Sequence, residues 1–266
     1  MSTTPEEKPP APASARAASM HASGSAAINL KDFTDARIAL GFSGHGTPTA
    51  HHLRFQADHA LARDAVYAGL DIDQLVTELQ TLGLDSLLVH SQAQNRAEYL
   101  RRPDLGRQLD EQSRGRLTQA AATAPANFDL VFILADGLSA TALEINAIPF
   151  LKTLLPRLTG YQLAPLIMAQ QARVALGDSI AALLKAKIAI MLIGERPGLS
   201  AADSMGLYLT FAPQPGLTDE RRNCISNVRP RGLDYETTAR QLLSLIEHSI
   251  RKQISGVALG GLGMLE

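Results

Sequence analysis

The sequence predicts an α/β protein in which a mainly helical N-terminal region precedes a largely parallel sheet flanked by helices. After Pro125, apolar runs of strand length alternate with helical stretches, and the runs are FDLVFILAD, LAPLIMAQ, AKIAIMLIG and LYLTFA. This alternation is typical of layered α/β folds, because parallel strands need long connections between them. Before that point the patterns are mainly helical, with one short strand predicted in DSLLVHS. The second half of the chain is therefore predicted to be Rossmann-like.

Composition divides the 266 residues into four segments. Residues 1–27 are rich in Pro, Ala and Ser and almost lack large apolar side chains, so we expect a disordered leader. Residues 28–122 are the predicted helical region, and residues 123–260 are the predicted α/β domain. Residues 261–266 remain as a short tail. With 45% hydrophobic residues, the chain can bury one large core or two smaller ones.

Local signals predict where three helices begin. Thr47-Pro48 combines a capping hydroxyl with a proline at the first helical position. Pro103-Asp104 predicts the start of a helix that continues to about residue 117. Asp234 is the predicted cap of a final helix over 234–253, whose apolar residues recur at helical spacing. We expect that last helix to cover one face of the sheet.

Charge and cysteine content exclude several classes of function. The 25 basic and 26 acidic residues nearly balance, so no net field favours nucleic acid or an anionic membrane. The lone thiol of Cys224 excludes an internal disulfide framework, which fits a reducing cytosol. The sequence also contains no apolar run of the roughly 18 to 20 residues that a membrane span needs. We therefore expect a cytoplasmic protein without nucleic-acid or membrane partners.

Polar and turn-forming residues follow three of the predicted strands. They are Asp136-Gly137-Leu138-Ser139, Arg173-Val174 and Gly194-Glu195-Arg196. Ligands of open α/β sheets bind beyond the carboxyl ends of the strands, so these loops are expected to converge on one rim. RRNCISNVRP, residues 221–230, adds the thiol and two asparagines in a stretch that we predict to be irregular.

Each of these features also has a purely structural interpretation. Asp136-Gly137 can be a simple turn with Ser139 as the cap of the next helix. Glu195 and Arg196 can form a local ion pair, Cys224 can be a small buried hydrophobic residue, and Val174 can belong to the core. The nucleotide-binding, zinc and nucleophile-elbow motifs GxxxxGK[ST], HExxH and GxSxG are absent from the sequence. We therefore predict no self-contained active site and no catalytic or metal-binding residue.

Several longer motifs resemble the small subunit of ethanolamine ammonia-lyase. They are ADGLSATAL, ARVALGDSIAALL, LIGERPGLSAADSMGLYLTFAP and NCISNVRPRGL in the second half, and YLRRPDLGRQL in the first. The resemblance extends from about residue 33 to residue 259. It implies a subunit of an adenosylcobalamin-dependent radical lyase that converts ethanolamine to acetaldehyde and ammonia.

The same resemblance implies a division of labour between two chains. The large subunit would carry the substrate site and the radical chemistry, and this chain would complete the cobalamin site within a higher-order hetero-oligomer. The family's cobalamin contacts fall on Val174, Glu195 and Cys224, which makes residues 123–260 the cobalamin-contacting domain. For the location, the resemblance implies the cytoplasm, either directly or within a bacterial microcompartment. A free-standing α/β enzyme with a nucleotide-like ligand, and a packaging scaffold built on the leader, remain as alternatives.

Overall fold

Six strands form one sheet in the order β1-β3-β2-β4-β5-β6. The structure is a computed structural model that describes residues 36–124 and 127–260, together with Leu30 and Phe33. The predicted leader, residues 1–27, and the predicted tail, residues 261–266, lie outside the described residues. The strands are β1 (Ser86–His90), β2 (Leu130–Ala135), β3 (Leu166–Gln170), β4 (Ile188–Gly194), β5 (Met205–Phe211) and β6 (Arg222–Val228).

Eight α-helices of the described residues surround or precede these strands. They are α1 (Thr49–Tyr67), α2 (Ile72–Thr81), α3 (Arg96–Arg101), α4 (Glu111–Thr123), α5 (Ala140–Leu154), α6 (Leu176–Leu184), α7 (Tyr235–Lys252) and α8 (Val257–Gly260). The α/β prediction is thus confirmed, with a mainly helical N-terminal region and helices around a sheet. The strand predicted in DSLLVHS is β1, which joins the sheet at its edge beside β3. None of the helices between residues 36 and 260 is long and apolar enough to cross a bilayer.

The sheet changes from parallel to antiparallel pairing at β4. Strands β1, β3, β2 and β4 pair in parallel, whereas β4 with β5 and β5 with β6 are antiparallel. Helices α5 and α6 connect the parallel strands, but residues 195–204 between β4 and β5 contain no helix. A connection without a crossover returns the chain beside the strand that it has just left. The predicted parallel sheet is therefore accompanied by two antiparallel strands.

The prediction of an irregular stretch at 221–230 is wrong, because most of this stretch forms strand β6. Its buried residues are Arg222, Ile225 and Val228, and a register shift between Met205 and Leu207 of β5 accommodates this uneven spacing. An edge strand with a bulge lacks strict alternation of apolar and polar residues. That departure from a period of two explains why the pattern did not predict a strand.

Apolar residues fill both faces of the sheet. In β2 all six residues are buried, and alternate ones join separate cores: Leu134 lies in the core on the side of α5 and α7, and Ile133 lies in the core on the side of α4 and α6. Helix α7 buries Ala239, Leu242 and Ile246 against the first core, as its spacing predicts. The rim beyond the strands therefore rests on a sheet that is packed on both sides.

Two predicted helix starts are wrong. Pro48 lies outside α1 in an extended conformation, and among the described residues no side chain caps that helix, so Thr47 does not act as predicted. After Pro103-Asp104 the chain forms only a 3₁₀ turn, and the α-helix begins at Glu111 with Asp110 as its cap. At Pro103-Asp104 the dipeptide lies in a turn, whereas Pro48 occupies the cap position itself and α1 begins at the next residue, Thr49.

The cap predicted at Asp234 is confirmed and leads to a prediction about pH. Its carboxylate accepts a hydrogen bond from the Thr237 amide at 2.8 Å, and bonds from Thr237 hold the pKa of Asp234 below its ordinary value. A lowered pKa in the folded state gives stability that is present above the unfolded value, about 3.9, and is lost as the pH falls through the folded value. We expect Asp234→Ala to unfold at a lower temperature than the parent chain at pH 7, and we expect this difference in unfolding temperature to shrink as the pH falls below the unfolded value.

Thermal unfolding followed by circular dichroism at several pH values tests this prediction. Asp234→Asn is the control, since asparagine caps helices but does not titrate. A deficit of Asp234→Ala that stays constant with pH would contradict the role of the ionised cap.

Candidate functional site

A cavity of about 460 Å³ lies beyond the carboxyl ends of β2, β3 and β4. Its walls are the turn at 137–138, the pair Arg173 and Val174, the segment 193–196, and the side chains of Tyr99 and Tyr208. The three predicted loops therefore do meet at one rim of the sheet. Val174 and Glu195 line the same cavity.

Glu195 is held in a fixed orientation by donors from two neighbouring segments. The Ser226 hydroxyl donates to Oε1, the Ser204 hydroxyl donates to Oε2, and the Asn227 amide lies 3.3 Å from Oε2. The Glu195 amide in turn donates to the Ser204 carbonyl oxygen at 2.9 Å. A carboxylate can accept about four hydrogen bonds, so this half-buried group retains acceptor capacity toward the cavity.

Glu195 forms no ion pair with Arg196 within the part of the chain that the structure describes. Arg196 is exposed, and its charge is solvated at the mouth of the cavity. The alternative interpretation of GERPG as a local salt bridge is therefore wrong. Hydroxyl and amide donors stabilise the carboxylate instead.

Val174 follows β3 and connects the cavity to the apolar core beneath it. Its half-buried side chain packs against the core on the side of α4 and α6, and it also lines the cavity. Its carbonyl oxygen accepts a hydrogen bond from the Gly177 amide at 3.1 Å, at the start of α6. The interpretations of Val174 as core and as cavity wall thus both hold, and the residue offers an apolar surface to a ligand.

Cys224 lies one strand beyond the lining residues. It is exposed on β6 and pairs across the sheet with Tyr208, whose side chain reaches the cavity. Partial removal from water raises the pKa of the Cys224 thiol, the Glu195 charge raises it further, and the Tyr208 hydroxyl opposes the shift. The prediction of a small buried hydrophobic residue is wrong, and the thiol is protonated near neutral pH.

The turn at 136–139 has a structural role, as its simpler interpretation predicts. Both oxygens of the buried Asp136 carboxylate accept backbone hydrogen bonds, from Gln171 at 2.8 Å and from Ala172 at 3.0 Å. Burial raises the pKa of Asp136, and these amide donors oppose the rise. Ser139 caps α5 and donates to the Ala202 carbonyl oxygen at 2.9 Å. The turn thereby connects β3, α5 and the loop that follows Glu195.

Tyr99, a fully buried residue of α3, is a site residue that the sequence did not reveal. Its hydroxyl donates to the Ala172 carbonyl oxygen at 2.9 Å, and two guanidinium groups contact its ring. The guanidinium carbons of Arg96 and Arg173 are 4.9 and 4.2 Å from the ring centroid. Arg96 also donates to the carbonyl oxygens of Val66 and Gly137, at 2.6 and 2.8 Å. Helix α3 therefore holds in place the loops that follow β2 and β3.

A second cavity, of about 520 Å³, opens at the amino ends of β1 and β3 and is lined mainly by apolar side chains. It contains none of the predicted site residues. Among residues 36–124 and 127–260, no group of three or more His, Cys, Asp and Glu side chains is placed to hold a metal ion. The rim cavity combines an apolar wall, oriented acceptors and a cation, and this mixture suits a large ligand with apolar and amide surfaces.

Comparison with known proteins gives a consistent result. The family model described as "Ethanolamine ammonia-lyase light chain (EutC)" matches residues 25–260. A protein named "Ethanolamine ammonia-lyase small subunit" from Pseudomonas putida (strain W619) is 50% identical over 87% of this chain and 86% of its own length. A protein of the same name from Pseudomonas syringae pv. tomato is 48% identical over 87% of this chain and 82% of its own length. Another, from Azotobacter vinelandii (strain DJ), is 50% identical over 86% of this chain and 86% of its own length.

Proposed function

Because this chain belongs to the ethanolamine ammonia-lyase light-chain family, we propose that it completes the adenosylcobalamin site of the lyase complex in which it is the small subunit. The observation that carries the proposal is the meeting of Val174 and Glu195 in one cavity, with Cys224 next to the lining residue Tyr208. These are the positions onto which the family's cobalamin contacts fall. The cavity would hold part of the cofactor, and the large subunit would cover the rest.

The residues of the cavity fit the surface of a corrinoid. Val174, Leu138 and Ile193 supply an apolar wall against which a corrin ring edge can pack. Glu195, already oriented by Ser204 and Ser226, can accept hydrogen bonds from the amide side chains of the ring. Little conformational entropy is lost when an oriented acceptor binds its ligand.

In this proposal the chain binds the cofactor and shields it from water, and it provides no catalytic residue. Bound adenosylcobalamin supplies the radical that starts the removal of ammonia from ethanolamine. Glu195 acts as a hydrogen-bond acceptor and not as a general base. The rim and the large subunit together exclude water from the reacting groups, and a closed site of this kind protects reactive intermediates from side reactions.

The proposal also extends to the assembly and its location. The small and large subunits would form a higher-order hetero-oligomer, because a cavity open on one side excludes water only when a second chain covers it. We place this complex in the bacterial cytoplasm or in a microcompartment within it. The chain alone is expected to bind corrinoid weakly and to show no turnover.

Glu195→Ala tests the proposed role of the carboxylate. We expect the dissociation constant of the assembled complex for cobalamin to rise roughly 5- to 150-fold, since an amide donor of the cofactor would lose its acceptor in a closed site. Titration followed by corrinoid absorbance measures this constant. Glu195→Gln, which keeps the side-chain length and one acceptor oxygen, is expected to give a smaller loss.

Glu220→Ala is the matched control, because Glu220 is exposed at the opposite end of β6. Its cobalamin affinity should equal that of the parent complex. Unchanged affinity in Glu195→Ala would refute the role of Glu195. Turnover by the isolated chain would instead support a free-standing enzyme.

A further inference from the structure

We propose that Arg173 binds the phosphodiester group in the nucleotide tail of the corrinoid. This inference rests on the proposed function, because it assumes that the rim cavity receives that cofactor. It adds a charged contact to Val174, Glu195 and Cys224, and it divides the cavity into two polar regions. Glu195 would recognise the amides of the ring, and Arg173 would recognise the anionic tail.

The backbone and side chain of Arg173 are fixed before any ligand binds. Its amide donates to the Gly106 carbonyl oxygen at 2.8 Å, and its Nη2 donates to the Tyr99 carbonyl oxygen at 3.3 Å. The guanidinium carbon lies 4.2 Å from the centroid of the Tyr99 ring. A Cβ atom on Gly106 would lie 2.9 Å from Arg173 Cγ, so the side chain occupies space that only glycine leaves free. The guanidinium group is therefore held at the cavity wall.

The charge of Arg173 has no counter-ion among the residues that the structure describes. Within residues 36–124 and 127–260, no carboxylate oxygen lies within 4.0 Å of its nitrogens, and its buried Nε has no hydrogen-bond partner. Arg96, which also contacts the Tyr99 ring, does have a counter-ion, because its Nη1 lies 3.8 Å from Oδ2 of Asp136. A partly buried guanidinium without a counter-ion is costly, so an anion that enters this cavity would be stabilised there.

The chemistry of the cofactor indicates which anion Arg173 meets. The side chains around a corrin ring are neutral amides, whereas the phosphodiester of the nucleotide tail carries a negative charge. The planar guanidinium matches phosphate oxygens with paired hydrogen bonds and is weakly hydrated, which favours such contacts in partly buried sites. Arg196 also lines the cavity, but it is exposed and already solvated, so it has less to gain from the same contact.

Binding of two corrinoids distinguishes the loss of this contact from a general disturbance of the cavity. The purified complex of small and large subunits is titrated with cobalamin and with cobinamide, a corrinoid without the nucleotide tail and its phosphodiester. In Arg173→Gln we expect the dissociation constant for cobalamin to rise roughly tenfold to hundredfold, and that for cobinamide to change less than about twofold. Absorbance reports binding, so the result does not depend on turnover.

Two further variants keep the test decisive. Arg101→Gln removes an exposed guanidinium of α3 that bonds only its own helix in the described structure, and it should leave both constants unchanged. Arg173→Lys keeps the charge without the paired geometry, and it should weaken cobalamin binding less than Arg173→Gln does. If Arg173→Gln fails to assemble, a loss in Arg173→Lys that is confined to cobalamin supports the contact.

The assignment of Arg173 would be overturned if Arg173→Gln lost affinity equally for both corrinoids, or if it lost no affinity for cobalamin. These outcomes differ from a failure of the proposed function. In that case the unaltered complex would bind neither corrinoid at this rim, and Glu195→Ala would have no effect.

Discussion

Replacement of Arg222 by methionine is expected to lower the free energy of unfolding by about 3 to 5 kcal/mol. The guanidinium group of Arg222 and the carboxylate of Asp178 form an ion pair in which each side chain is only 2% exposed. The ion pair of Arg222 with Asp219 contributes little to the free energy of unfolding, since the Asp219 side chain is 92% exposed. In Arg222→Met the Asp178 carboxylate would remain buried without its counter-ion. Urea unfolding followed by circular dichroism measures the loss.

A double variant and the pH dependence provide the controls. Combining Arg222→Met with Asp178→Leu removes both charges and should recover most of the lost stability. Burial raises the pKa of Asp178, and the Arg222 charge opposes this rise. Without Arg222 the folded state would favour the protonated acid more strongly. The deficit of Arg222→Met should therefore be largest at neutral pH and shrink as the pH falls toward 4. A deficit that is below 1 kcal/mol at pH 7 would show that water reaches Asp178.

Gly194→Ala is expected to cost about 3 kcal/mol of stability and to weaken cobalamin binding at least tenfold. An added Cβ atom would lie 1.9 Å from the Ser139 carbonyl oxygen and 2.9 Å from that of Asp136. Both obstacles are backbone atoms, so the end of β4 must separate from the turn at 136–139. Glu195 follows directly and would lose its orientation. Calorimetry of the variant and a corrinoid titration of its complex measure the two effects.

Gly198 gives the matched control for this prediction. It lies in the same loop, but an added Cβ atom would lie no closer than 3.9 Å to the Ala201 carbonyl oxygen. Gly198→Ala should therefore retain both stability and affinity. A Gly194→Ala protein with unchanged affinity would show that the position of Glu195 does not depend on the close contact of β4 with the turn.

The elements that the sequence predicted well are those with a strong local pattern. The apolar runs of β2 and β4, and the capped helix α7, follow from periodicity and from Asp234 alone. Strand β6 could not be predicted in this way, since its buried residues are unevenly spaced around an irregularity in its pairing with β5. The antiparallel part of the sheet was missed for a related reason. The direction of β5 depends on the absence of a crossover, and an apolar run contains no information about direction.

The site was predictable where it depends on strand ends and was hidden where it depends on contacts between distant elements. Val174 and Glu195 follow β3 and β4, so the rule for open sheets brings them to one rim. Tyr99 belongs to a helix in the other half of the chain, and its contact with Arg173 spans 74 residues. The donors of Glu195, Ser204 and Ser226, come from beyond the sheet reversal. Their role becomes visible only when the antiparallel strands return to the rim.

The position of Arg96 has a thermodynamic consequence for the whole N-terminal region. One guanidinium group connects the carbonyl oxygen of Val66, in the last turn of α1, to that of Gly137 in the cavity wall. A molecule that displaced α1 would have to break one of these bonds or shift the wall. A ligand in the cavity that strengthened the bond to Gly137 would therefore also resist displacement of α1. Such linkage is reciprocal, so a molecule that shifted α1 would in turn lower the affinity of the cavity for that ligand.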